Sequence, residues 1–323
     1  NHGLFKSLLF LSAGAVVHTA HTRQIDSLGG LAKSMPWTAA MFVTGAVAIC
    51  GLPPLNGFIS ELLVYFGLLD VVMIRHSVLA VVAVAALAMI GALALACFVK
   101  VYGAVFLGNA RTEASAQARE CPWIMRIPMM VLALCCAVIG LAPMLLIPLL
   151  DRAIARWILA SATPMTSIGA VVSLNPVSLV SVALVFLVVS IAALMSVLYP
   201  FSRSVGTWDC GYARPTPRIQ YTASSFAQII VGLFRWILRP QFHRPRREGL
   251  FPQPAKMHSH VDDLVLDRAI YPACRDIGNG FVWFRRFQRG ITQHYLLYIL
   301  ITVILMMGAM VPWKVVLAGL FAR

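Results

Sequence analysis

The stretch GLPPLNGFISELL, residues 51–63, separates two apolar runs and decides how the chain folds. Pro53 and Pro54 stand between Gly51 and Gly57, and a proline cannot continue a helix because it lacks the backbone N–H. Backbone groups freed in this way are tolerated at membrane depth only when they are buried in protein or face water. The stretch therefore predicts a discontinuous helix near 51–57, with Glu61 shortly after the break.

The sequence on both sides of this break is strongly apolar. Of the 323 residues, 60% are hydrophobic and 12% are charged, whereas soluble domains carry about 25% charged residues. The apolar runs have lengths near the roughly 17–25 residues that cross a bilayer. We therefore predict an all-α polytopic membrane bundle with about seven transmembrane helices, near 3–22, 36–52, 55–73, 78–107, 123–148, 177–199 and 294–318.

A polar, basic segment covers residues 200–291, with fourteen Lys and Arg against six Asp and Glu. Because positive charge marks the cytoplasmic side of a membrane, we place this segment in the cytoplasm. Counting spans from there puts the 23–35 and 149–176 loops outside and the 108–122 loop inside. The charge suits anionic lipid or an acidic partner, and no nucleic-acid-binding module is visible.

The chain divides into four predicted parts. They are a membrane core (1–107), additional transmembrane helices (108–199), the basic cytoplasmic segment (200–291) and a terminal transmembrane helix (292–323). Within the basic segment, residues 224–239 carry apolar side chains on one helical face and polar side chains on the other. This pattern is typical of a helix that lies in the membrane interface, and the run is too short to span.

Three ionisable residues in or next to the apolar runs are our main candidates for a proton relay. An acid or base in a span costs about 2.5–3.5 kcal/mol on insertion scales, so each needs a reason. The first span is predicted to be centred near residue 12, and Lys6 lies about 9 Å to the cytoplasmic side of that centre. His2 precedes Lys6 at the i, i+4 spacing that lets side chains meet. Glu61 follows the helix break, through which water can reach it. The alternatives are a lysine that extends to the headgroups and a glutamate neutralised by hydrogen bonds.

Three further residues are weaker candidates. Lys100 lies near the end of the fourth span, and extension of its side chain to the membrane surface is the favoured explanation. His18 and His21 lie at the predicted outer end of the first span, where imidazoles titrate near neutral pH and are inexpensive to place. An interfacial pair is the alternative to a proton exit there.

The sequence offers no redox or catalytic centre of its own. The seven cysteines include no CxxC pair, so neither an iron–sulfur cluster nor a zinc site is supported. No nucleophile–base pair or phosphate loop is visible either. Any redox cofactor is expected in other subunits, and the chain is not expected to be catalytic alone.

NHGLFKSLLFLSAG (1–14) followed by GLPPLNGFISE (51–61) resembles the second half of the antiporter-like proton-translocating subunits. This family is shared by respiratory complex I, membrane-bound hydrogenases and multi-subunit cation/proton antiporters. TWDCGYARPTPRIQYTASSFAQ (207–228) and RRFQRGITQHYLLYI (285–299) are more narrowly similar to hydrogenase-4 component B and the large membrane subunit of formate hydrogenlyase.

The resemblance implies inverted five-helix repeats with discontinuous helices and a central chain of lysines, histidines and a glutamate. By motif, Lys6 belongs to that chain with His2 beside it, and Glu61 terminates it near the outlet. The family's first repeat should lie upstream of Asn1, so we expect the chain to be the C-terminal part of a longer subunit.

These observations predict a proton-translocating membrane subunit, or part of one, of a hydrogenase-type or complex I-type oxidoreductase. Its expected partners are other membrane subunits, the lipid bilayer and a peripheral redox arm holding iron–sulfur clusters and nickel–iron or other redox centres. The alternatives are a Na⁺(K⁺)/H⁺ antiporter subunit and a structural membrane anchor for a peripheral hydrogenase arm.

Overall fold

The computed structural model describes residues 1–157, 174–198, 216–243, 258–287 and 290–311. Helices account for most of these residues, and the two strands are three residues long. The helices are α1 His2–Ala20, α2 Leu31–Ser34, α3 Pro36–Ile49, α4 Asn56–Arg75, α5 Val78–Val105, α6 Glu113–Gln117, α7 Trp123–Leu141, α8 Ile147–Trp157, α9 Asn175–Leu198, α10 Ala223–Leu233, α11 Arg235–Leu238, α12 Tyr271–Gly280 and α13 Thr292–Met310. Strands β1 (Gln241–His243) and β2 (His258–His260) pair antiparallel.

Six of the described helices are long and apolar enough to cross a membrane, namely α1, α4, α5, α7, α9 and α13. The prediction of an all-α polytopic membrane bundle is therefore confirmed. Helix α3 has only 14 residues, which is short of the roughly 17 that a crossing requires. The predicted count of about seven crossings needs revision because of the way α3 and α4 are arranged.

Helices α3 and α4 run one after the other along the length of α5. In α3, the Phe42 ring packs on Phe98 and Phe106 near the end of α5, with ring centroids 6.4 and 5.2 Å apart. In α4, Glu61 lies against Gly91, farther back along α5. The prediction that the second and third spans are separate crossings was therefore wrong. In the sequence, a break inside one crossing has the same appearance as a loop between two crossings.

The loops that follow α1 and α5 lie on the same face of the bundle. Backbone hydrogen bonds join Gly30 N to Leu107 O and Ala32 N to Phe106 O, each at 2.9 Å. The Ser115 hydroxyl also donates to Gly29 O at 2.9 Å. The prediction that 23–35 and 108–122 lie on opposite sides is therefore wrong, and counting α3 and α4 as one crossing removes the error.

Residues 220–224 are tied to this same face, which we call the loop face. The backbone N–H of Asn109 donates to the Gln220 side chain at 2.9 Å. Arg111 donates to Tyr221 O at 2.8 Å, and the Ser224 N–H donates to Asp26 at 3.1 Å. If the basic segment is cytoplasmic, the loop face is cytoplasmic too, and α1 runs toward the cytoplasm rather than away from it.

Two predicted elements end or break earlier than their apolar pattern indicated. The predicted span 123–148 ends at Leu141, because Pro143 begins a short 3₁₀ segment that leads into α8. The predicted interfacial helix 224–239 is interrupted at Phe234, two residues after Gly232, a residue of low helix propensity. The last predicted span, 294–318, is described only as far as its helix end at Met310, since 312–323 lie outside the described residues.

The well-packed core lies where α1 meets α3 and α7. Leu8 and Met129 are fully buried, and so is Ser12, whose hydroxyl donates back to Leu8 O at 2.7 Å. Chain contacts divide the protein into two units, residues 1–230 and 231–323. The candidate site described next lies wholly in the first unit.

Candidate functional site

The helix break is built from the residues that the sequence singled out. Helix α3 ends at Ile49, and Gly51 follows with φ of 64°. The Pro53–Pro54 bond is cis, and α4 begins at Asn56. The predicted discontinuity near 51–57 is therefore present, and it interrupts the helical hydrogen bonds within one crossing.

Glu61 lies directly over this break. A Cβ atom at Gly51 would overlap the Glu61 carboxylate, so only glycine leaves room for the acid at that point. The positive φ of Gly51 also belongs to the left-handed region that side-chain-bearing residues rarely adopt. The conformation and the missing side chain of Gly51 thus both serve the position of Glu61.

The depth of Glu61 follows from its contact with α5. Gly91, beside which one carboxylate oxygen lies, is at the middle of this 28-residue helix. Because α5 is long enough to cross the bilayer alone, its middle marks the membrane centre. A half-buried carboxyl group therefore lies near the centre of the membrane.

Cavities lie on both sides of the Glu61 carboxyl group. One, of about 270 Å³, is also lined by His2, Phe5 and Ser60. The other, of about 330 Å³, is also lined by Cys50, Phe58 and Tyr65. Either is several times the volume of about 30 Å³ that one water occupies in the liquid. Glu61 thus has space on two sides that is large enough to hold water.

Polar side chains line the start of α1 and α4 beside the first cavity. Asn56 is fully buried, and its amide donates to the Asn1 side chain at 3.3 Å. Asn1 in turn donates to Asn56 O at 3.2 Å and to the Ser60 hydroxyl. The buried Asn56 Oδ1 accepts no hydrogen bond from the described residues. This polar group gives the break a hydrophilic wall.

The structure brings His2 to Glu61 but does not bring Lys6 there. His2 lines the same cavity as Glu61, with its ring against Phe5 at a centroid distance of 5.2 Å. Lys6 lies on the exposed face of α1, where its ammonium group is 5.5 Å from the ring centre of Phe10. Among the described residues, no carboxylate forms an ion pair with Lys6.

The level of α1 in the membrane also differs from the sequence-based expectation. We expected the first span to be centred near residue 12, with Lys6 displaced toward one surface. His2 instead shares a cavity with Gly91, which places the start of α1 near the membrane centre. Lys6, one helical turn and about 6 Å farther on, is close to that depth.

The weaker candidates lie away from the break. His18 is exposed near the end of α1, and His21 ends that helix in a left-handed conformation, with its N–H donating to Val17 O. Lys100 is half-buried near the loop end of α5, in a cavity shared with Arg23 and Asp26. None of the three lines the cavities around Glu61. Among the described residues, no cluster of His, Cys, Asp and Glu has the arrangement of a metal site.

Sequence reasoning missed a carboxylate that fixes the other half-helix. Glu120 accepts hydrogen bonds from the Trp37 N–H at 2.8 Å and from the Thr38 hydroxyl at 2.5 Å, both in the first turn of α3. It therefore caps α3 from a distant part of the chain. Local capping patterns could not reveal it, because the partners are 82 and 83 residues apart.

Together these features define a membrane helix bundle with an acidic group at an interrupted crossing. Residues 1–91 match the family described as NADH:quinone oxidoreductase/Mrp antiporter, TM. This match confirms the family resemblance predicted from the sequence. It covers α1, the break, Glu61 and the first half of α5.

Two curated relatives from Escherichia coli (strain K12) extend the similarity. Hydrogenase-4 component B is 36% identical over 227 residues, which cover 66% of this chain and 33% of the relative. Formate hydrogenlyase subunit 3 is 35% identical over 243 residues, which cover 74% of this chain and 39% of the relative. The matched region thus spans well under half the length of either relative.

The fold also matches a chain in the structure of the membrane-bound sulfane sulfur reductase, an archaeal respiratory membrane complex. The match has a TM-score of 0.59 and 21% identity, and it covers 95% of this chain and 46% of that chain. At this level of identity the likeness concerns the fold alone.

Proposed function

We propose that this chain forms part of a proton-translocating membrane subunit of an oxidoreductase complex of the hydrogenase-4, formate hydrogenlyase or complex I type. The observation that carries the proposal is Glu61, a half-buried carboxyl group at mid-membrane, over a helix break and between two cavities. Such a group in a membrane is retained for function, because its burial is costly and water access lets it exchange a proton.

In this proposal His2 is the nearest relay partner of Glu61. An imidazole can both accept and donate a proton near neutral pH, and His2 lines the cavity that Glu61 also lines. A proton arriving at His2 would cross that cavity through water to Glu61. It would leave through the second cavity, on the side of Tyr65 and Phe58.

Lys6 has a different place in the proposal. An ammonium group facing acyl chains near mid-membrane costs about 2.5–3.5 kcal/mol on insertion scales. We therefore expect the exposed face of α1 to be covered by another helix of the assembly, whose charge Lys6 meets. Lys6 would influence Glu61 through His2 and by Coulomb interaction at low dielectric, rather than by contact.

Electron transfer in partner subunits would drive this cycle. We expect the iron–sulfur and nickel–iron or other redox centres in those subunits, and further membrane subunits beside this chain. The expected location is the inner membrane of a prokaryote, with the loop face and the basic segment in the cytoplasm.

The proposal is tested by Glu61→Gln in the assembled complex, with proton movement and redox turnover measured in the same vesicles. Glutamine keeps the size and hydrogen bonding of glutamate but cannot bind and release the proton. We expect proton translocation to be lost while redox turnover stays measurable. The matched control is Asp70→Asn, which neutralises an exposed acid near the other end of α4 and should leave translocation unchanged. Normal translocation by Glu61→Gln would refute the proposal.

A further inference from the structure

A second charged cavity lies at the loop end of α5, away from the helix break. Its volume is about 430 Å³, and Arg23, Asp26 and Lys100 line it together with residues from the start of α10. The proton relay proposed above does not use this cavity. The volume falls within the range of about 300–1,000 Å³ that is typical of ligand pockets.

Among the described residues, no carboxylate forms an ion pair with Arg23 or Lys100, the two cations of this cavity. Asp26 is the only acid among the described residues of the lining, and both of its oxygens accept hydrogen bonds from Ser224, one from the N–H and one from the hydroxyl. The lining therefore carries two unpaired positive charges and one negative charge that is held by hydrogen bonds.

The position of Lys100 gives the depth of the cavity. It lies five residues before the end of α5 at Val105, so its Cα is about 8 Å below the helix end. A lysine at this depth extends its ammonium group to the level of the lipid headgroups. The cavity therefore opens where headgroup phosphates lie, on the loop face.

We propose that this cavity binds the phosphate group of an anionic phospholipid. Arg23 would pair with two phosphate oxygens, as a guanidinium group favours, and Lys100 would neutralise the remaining charge from below. Ile25, Ala223 and Ala227 supply apolar contact for the glycerol region. A lipid is favoured over free phosphate because α5 continues below Lys100 into the hydrocarbon region.

The test places the full chain in phosphatidylcholine nanodiscs that contain a minor fraction of phosphatidylglycerol. Native mass spectrometry then measures the phosphatidylglycerol that the protein retains. We expect the double variant Arg23→Gln, Lys100→Gln to weaken this retention by about ten- to thirty-fold. The double variant Arg23→Lys, Lys100→Arg keeps both charges and should retain the lipid, which separates loss of binding from loss of folding.

The matched control is Lys33→Gln, Arg119→Gln, which removes two exposed cations from the loop face outside the cavity. Equal loss of phosphatidylglycerol in the control and the cavity variant would overturn the proposal. A second arm adds inorganic phosphate to nanodiscs of phosphatidylcholine alone. If the protein retained inorganic phosphate in a way that depends on Arg23 and Lys100, without enrichment of phosphatidylglycerol, the cavity would bind free phosphate and the proposal of a lipid ligand would be overturned.

Discussion

At the scale of single residues, the position of Glu61 depends on the absence of a side chain at Gly51. The backbone of Gly51 has a positive φ, and the Glu61 carboxylate occupies the space of the missing side chain. We expect Gly51→Ala to lower the free energy of unfolding by about 1–3 kcal/mol, because both the conformation and the overlap are unfavourable. It should also impair proton translocation by displacing the acid.

The control for this prediction is Gly67→Ala in the same region of chain. Gly67 lies inside α4 with open space around its Cα, so alanine should be neutral or should stabilise the helix by up to about 1 kcal/mol. Chemical or thermal unfolding of the full chain measures both variants. A Gly51→Ala protein as stable as Gly67→Ala would show that the break does not require glycine.

Individual residues were predictable where their signal was local. The double proline and the two glycines indicated the break, and the isolated acid after it indicated Glu61, since each stands out from an apolar run. The partnership of His2 with Glu61 was not predictable, because 59 positions separate them and only packing brings them to one cavity. For the same reason, the sequence could not show that Lys6 is exposed and lies outside the cavities around Glu61.

At the scale of elements, the half-helix α3 depends on a cap from outside. The N–H groups in the first turn of a helix have no partner within the helix. In α3, the Glu120 carboxylate accepts hydrogen bonds from two of them, and its negative charge complements the helix dipole. We expect Glu120→Gln to destabilise the chain by about 0.5–2 kcal/mol and to speed amide hydrogen exchange at residues 37–40.

The control for the cap is Glu113→Gln. Glu113 lies in the exposed short helix α6, where its carboxylate accepts only from the Gln117 side chain among the described residues. A neutral substitution there should change stability by less than about 0.5 kcal/mol. Equal effects of the two substitutions would mean that Glu120 acts only through its charge on the surface.

A second element-scale prediction concerns Arg111, which joins three segments. Its guanidinium donates to Leu28 O at 2.8 Å, to Ala104 O at 3.2 Å and to Tyr221 O at 2.8 Å. We expect Arg111→Met to speed hydrogen exchange in residues 220–226 while leaving exchange in α7 unchanged. The control is Arg119→Met, at an exposed position nearby. Equal hydrogen exchange in the two variants would show that Arg111 does not hold residues 220–226 against the loop face.

At the scale of the whole molecule, the interrupted crossing sets the sidedness of the loops. Counting α3 and α4 as one crossing places Ser27 and Asn109 on one face and His76, between α4 and α5, on the other. We expect a membrane-impermeant maleimide to add label to Ser27→Cys and Asn109→Cys from the same side of sealed, oriented vesicles. His76→Cys should gain label only from the opposite side.

Because the chain has seven native cysteines, the measured quantity is the label that each variant gains over the unsubstituted protein. Labelling of Ser27→Cys and Asn109→Cys from opposite sides would restore the topology expected from hydropathy alone. Hydropathy predicted the membrane bundle correctly, because apolar length is a local property. It could not show that two apolar runs share one crossing, since that depends on how both runs pack along α5.

The central claim, that Glu61 takes up and releases a proton near mid-membrane, is tested most directly by redox-triggered infrared difference spectroscopy of the assembled complex. We predict a carboxylic-acid carbonyl band that appears during turnover, shifts in D₂O, disappears in Glu61→Gln and persists in Asp70→Asn. The same band with unchanged intensity in Glu61→Gln would contradict the account.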